Sequence, residues 1–108
     1  MSRSGAADTF WALSDPLRID LLDRIAASDN VTMTELAAKL PLTRQAISRH
    51  LRTLESASLL RGSRSGRERC YCVNTEPLVE ANLWLDRRRE SWGRALDRLA
   101  AHVEQGEE

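Results

Sequence analysis

Five stretches of this chain place apolar residues at helical spacing, and a sixth is bounded by turn chemistry. Phe10, Trp11 and Leu13 predict a short helix over 9–13, capped by Asp8 or Thr9. Ser14-Asp15-Pro16 sets capping residues before a proline at the first helical position, which starts a second helix. Leu17, Leu21, Leu22 and Ile25 carry it over 16–27. Thr32 or Thr34 opens a third helix over 32–40, with Leu36, Ala37 and Leu40 on one face and Pro41 as its stop. Thr43 caps a fourth over 43–57, where Ile47, Leu51 and Leu54 are spaced for burial. Leu59-Leu60 then opens a strand, 62–66 is a polar, glycine-bearing turn, and Arg67 to Val73 returns, giving a hairpin over 59–73. A last helix is predicted over 77–105. It carries Leu78, Leu85, Trp92 and Leu99 seven apart, with Leu96 and Val103 between them. Such a repeat marks a helix lying along another helix, either a partner subunit's or one of its own. Asn82 and Arg89 interrupt the second apolar line.

The predicted order is four helices, a hairpin and a long helix, with no linker to divide it. The chain reads as one mainly α domain over 1–108 with a small β-hairpin. Residues 32–57 are a helix, a tight connection and a longer helix, which together make a helix-turn-helix. On the longer helix Ala46, Ile47, Leu51 and Leu54 fall on one side, and Gln45, Ser48, Arg49 and Arg52 on the other. Thr43 and Arg44 stand at its N-terminal end, where reading helices meet bases. Amide, hydroxyl and guanidinium groups suit base edges and phosphates, although a solvated helix face has the same look.

Charge sharpens this picture. The formal net charge is zero, but its distribution is uneven. Between 41 and 72 lie Arg44, Arg49, Arg52, Arg61, Arg64, Arg67 and Arg69 against Glu55 and Glu68 alone. Both flanking thirds are net acidic. A clustered basic segment is the footprint of a phosphate-binding surface. Arg61, Arg64, Arg67 and Arg69 sit in or beside the hairpin, which can serve as a wing against the neighbouring backbone or minor groove. A reading helix followed at once by a basic hairpin is far more specific than either part, and defines a winged helix-turn-helix.

The chain resembles the ArsR family of winged-helix regulators over nearly its whole length. The resemblance rests on Ala12 to Arg18, Glu35-Leu36-Ala37, Leu42 to Leu51, Leu54 with Leu59-Leu60, and Gly66-Arg67 with Tyr71. It implies a homodimer joined by the first and last helices, with Phe10, Trp11, Leu78, Leu85, Trp92, Leu96, Leu99 and Val103 at the interface. It also implies an inverted-repeat operator, repression of the protein's own operon, and His50 at the DNA surface. On the helical wheel His50 falls between the two stripes, so a packed or capping histidine stays open. The family's usual metal sites have no counterpart here. The helix over 33–40 holds no cysteine, and the last helix has only His102.

Cys70 and Cys72 remain. On a strand they share a face, so both sulfurs suit one soft ion such as arsenic, copper or zinc, or a thiol-based response. Two ligands do not complete a zinc site, and cysteine is also a common small core residue. The expectation is a regulator with no cofactor, no metal and no effector legible in the chain. No glycine-rich phosphate loop, nucleophile elbow or supported carboxylate pair points to an enzyme. A winged helix that binds protein is the remaining alternative, and the retained basic face speaks for double-stranded DNA. No apolar run reaches membrane-spanning or signal-peptide length, so the expected location is cytoplasmic.

Overall fold

The computed structural model describes residues 5–28 and 30–106. The elements are α1 (Gly5–Ala12), α2 (Pro16–Ala26), β1 (Val31–Thr32), α3 (Met33–Lys39), α4 (Arg44–Ser56), β2 (Leu60–Ser65), β3 (Glu68–Val73) and α5 (Glu76–Gly106). The four helices, hairpin and long helix stand in the expected order.

Local chemistry explains most boundaries. Asp15 caps α2, its side chain accepting from Leu17 N at 2.8 Å, and Pro16 opens the helix. Thr32 caps α3 by accepting from Glu35 N, and Thr43 caps α4 by accepting from Ala46 N, both at 3.1 Å. Ser58, at φ 60°, ends α4 in the left-handed region, and Asn74 Nδ2 donates to its carbonyl.

Four expectations need correction. First, α1 already begins at Gly5, so neither Asp8 nor Thr9 caps it. Thr9 is buried within the helix, and its hydroxyl donates to the Gly5 carbonyl. Second, Leu17 is exposed, because Arg18 occupies the inner position of the first turn of α2. The Arg18 guanidinium donates to the carbonyls of Ala12 (2.7 Å) and Trp11 (3.0 Å), closing the end of α1. Third, the hairpin turn is not 62–66. Strand pairing runs to Ser65↔Glu68, leaving Gly66 and Arg67 as a two-residue turn with Gly66 at φ 66°. Fourth, Val31 and Thr32 form a strand that pairs with β3, so the sheet has three strands in the order β1-β3-β2.

The core gathers Leu21, Leu22 and Ile25 of α2, Leu36 of α3, Ile47, Leu51 and Leu54 of α4, and Leu59, Leu60, Val31 and Tyr71 from the sheet side. It packs the two helices of the helix-turn-helix against α2 and the base of the wing.

Helix α5 stands apart from this core. Its 31 residues span about 46 Å at helical rise. The radius of gyration is 19.5 Å, whereas a compact chain of this length has about 13 Å. One stripe of α5 meets its own α1. Ala81 is buried, and the Trp84 ring lies edge-on to Phe10 with centroids 5.5 Å apart. The Arg88 guanidinium lies over the Trp84 ring, 4.2 Å from its centroid. The second stripe is largely open within one chain: Trp92 stands edge-on to Trp84 with centroids 6.3 Å apart yet is 61% exposed, and Leu96 is 65%, Leu99 58% and Val103 51% exposed. No described helix is long and apolar enough to cross a membrane.

Candidate nucleic-acid interface

Helix α4 is strongly two-sided. Ile47, Leu51 and Leu54 are buried in the core, while Arg44, Gln45, Arg49 and Arg52 are exposed. Ser48 and His50 are half-buried, so His50 lies at the edge of the polar stripe. Thr43 is exposed at the helix start with its hydroxyl engaged in the cap.

The wing follows α4 after a short turn. In an antiparallel ladder directly paired residues share a face. Arg64 pairs with Arg69 and Gly62 with Tyr71, so these four lie on one face. Arg61 pairs with Cys72 and lies on the other, and Arg67 occupies the turn. All four wing arginines are exposed. An open groove of about 560 Å³ runs between α4 and the wing, lined by Ser48, Arg52, Glu55, Ser56, Arg69 and Tyr71. The polar stripe of α4 and the wing therefore border one depression.

The arginines are not equivalent. Arg44, Arg49, Arg52, Arg61, Arg64 and Arg67 enter no ion pair with another described residue. Arg69 is different: its Nη2 lies 2.8 Å from Glu55 Oε2, and its guanidinium stands 5.9 Å from the Tyr71 ring centroid. The hydrogen bond to Glu55, together with that residue's charge, raises the Arg69 pKa above its ordinary value. Tyr71 is also raised, first by burial and then by the charge of Glu55.

Cys70 is buried and Cys72 half-buried, both as free thiols on one face of β3. No group of three or more metal-ligating side chains forms among the described residues.

Of the expected interface residues, Phe10 packs within its own chain on Trp84, while Trp11, Leu78, Leu85, Trp92, Leu96, Leu99 and Val103 are exposed. Trp84 is the contact that sequence reasoning missed. Its signal lay in a second spacing on α5, Pro77-Ala81-Trp84-Arg88, which runs beside the seven-residue repeat.

Comparisons with known proteins agree with this geometry. Residues 13–63 match the model of a helix-turn-helix domain family. The HTH-type transcriptional regulator Rv2034 of Mycobacterium tuberculosis is 33% identical over 105 residues, covering 96% of this chain and 94% of its own. The uncharacterized HTH-type transcriptional regulator YuzN of Bacillus subtilis is 39% identical over 75 residues, 64% of this chain and 82% of its own. Among solved structures, an ArsR-like transcriptional regulator from Rhodococcus sp. RHA1 superposes with a TM-score of 0.83 at 30% identity. That match covers 94% of this chain and 93% of the other. With the helix-turn-helix, the hairpin and the long last helix all in their places, the chain belongs to the ArsR family of winged helix-turn-helix transcriptional regulators.

Proposed function

We propose that the chain acts as a homodimeric repressor that binds an inverted-repeat operator near its own gene. The observation that carries this reading is the groove between α4 and the wing, lined by Arg52 and flanked along α4 and the wing by Arg44, Arg49, Arg61, Arg64 and Arg67, all exposed and none in an ion pair with another described residue. In this reading Thr43, Arg44, Gln45, Ser48, Arg49, His50 and Arg52 enter or flank the major groove. Exposed guanidinium groups there suit guanine edges and phosphates. Arg61, Arg64 and Arg67 reach the adjoining backbone or minor groove from the wing.

The bare stripe of α5 supports the dimer. Four large apolar side chains more than half exposed on one projecting helix are costly to leave in water. A second copy, related by a two-fold axis, would present two reading helices to two half-sites. A DNA partner also goes with a cytoplasmic location.

Footprinting on the upstream region of its own gene tests the reading. The expected result is a protected inverted repeat whose affinity falls steeply with salt. Absence of any binding to that region at low salt refutes it.

A further inference from the structure

The basic segment over 41–72 keeps only two acids, Glu55 and Glu68. Charge alone makes both unwelcome beside a polyanion, and the structure gives each a definite partner. Glu55 of α4 holds Arg69 at 2.8 Å. Glu68 accepts from the Thr34 hydroxyl of α3. Glu68 and Arg69 are consecutive on β3, so they point to opposite faces of the wing. One residue therefore ties the wing to the first helix of the helix-turn-helix, and the next ties it to the second.

Gly62 completes the arrangement. It stands directly across the ladder from Tyr71, beneath the Glu55–Arg69 pair. A Cβ built there would come within 2.7 Å of Arg69 Nη2 and 2.9 Å of Glu55 Oε2. The missing side chain leaves the space through which the pair closes.

We propose that Glu55 and Glu68 are positioning residues for DNA recognition, a two-sided brace that sets the wing's angle to the reading helix. Arg69 then acts through Glu55, and the phosphate contacts of the wing fall to its other arginines. This rests on the DNA-binding reading above.

The two accounts differ in sign. If Glu55 is merely a misplaced charge, Glu55→Gln removes a repulsion and tightens DNA binding. The brace predicts the reverse. The probes are a duplex selected from a randomised pool by the unaltered chain, and a random duplex of equal length. Glu55→Gln and Glu68→Gln are each expected to weaken the selected duplex about three- to fivefold, the range open to a single exposed polar tie, while the random duplex, which feels only the lost negative charge, is held no more weakly than by the unaltered chain. Gly62→Ala, which alters no charge, presses on the movable tips of Arg69 and Glu55 and is expected to weaken the selected duplex in the same direction but less than Glu55→Gln does. Combining Glu55→Gln with Arg69→Gln should cost no more than Arg69→Gln alone, because both remove one tie.

Amide exchange over 61–69 in the DNA-free protein reads the brace independently. It should accelerate in Glu55→Gln while the core amides of α2 keep their protection. Two results overturn the proposal. One is tighter DNA binding by Glu55→Gln together with a salt slope lowered by about one in Arg69→Gln, which makes Arg69 a phosphate ligand. The other is unchanged exchange in the wing of Glu55→Gln. Failure of the unaltered chain to select any duplex would instead refute the DNA-binding reading, and the exchange experiment would still decide the brace.

Discussion

Replacing Leu96 and Leu99 together by glutamate puts four carboxylates, two from each copy, into the stripe of α5 that stays bare within one chain. Complete burial of a leucine side chain yields about 2 kcal/mol. Leu96 is 65% exposed and Leu99 58%, so roughly three-fifths of that gain, about 1.2 kcal/mol, is still open to each. Two positions in two copies amount to about 5 kcal/mol lost from the dimer, before any desolvation of the new charges. At about 1.4 kcal/mol per tenfold, the dissociation constant should rise more than about a thousandfold. Association itself costs at least about 4 kcal/mol in lost freedom, so little remains to hold two such chains together. Sedimentation equilibrium reads the change directly. Circular dichroism should show the helices intact, because neither residue belongs to the core. A doubly substituted chain that stays dimeric at the concentration where the parent is dimeric refutes the assignment of this stripe.

Four further outcomes follow from the structure. Arg52→Ala should lower the slope of log affinity against log salt by about one if it holds a phosphate; an unchanged slope with loss on the operator alone assigns it to bases. Thr43→Ala removes the cap of α4 and should cost about 1 kcal/mol in urea unfolding, so stability that matches the parent contradicts the cap. Arg18→Met keeps the apolar stem but strips the Ala12 carbonyl of its guanidinium donor, while the Trp11 carbonyl keeps Ser14, so it should cost about 1–2 kcal/mol. Tyr71 has its pKa raised above the ordinary value of 10.0 in the folded chain, so the folded state holds that proton more tightly than the unfolded one. Its contribution is full below pH 10 and is lost as pH climbs through the folded value, and Tyr71→Phe should flatten that alkaline decline in thermal melting.

The helices are legible wherever a cap and an apolar stripe coincide. Asp15-Pro16 and Thr43 each mark a helix start to within a residue, because the hydroxyl or carboxylate that accepts the first amides is local in sequence. What escapes is set by contacts between distant residues. Val31 and Thr32 become a strand only because Tyr71 and Cys70 lie opposite them, and two residues make no periodic pattern. Ser63, Arg64 and Ser65 read as turn because they are polar on both faces, yet that is what a strand standing out from the body requires. Leu17 counts as core by spacing, but the buried Arg18 beside it takes the inner position in order to reach the carbonyls of α1. The candidate interface is legible in outline from the clustering of arginines. Its inner distinction is not, because the residue that engages Arg69 lies 14 positions earlier.

In the proposed dimer, the open stripe on α5 turns the amount of protein into a control variable. A surface completed only by a second copy makes the paired species a second-order quantity: at low abundance it grows with the square of the chain's concentration. Occupancy of a site that needs both copies then responds to synthesis more steeply than binding by a lone chain would. Small changes in expression or turnover would act as a threshold, with no ligand required.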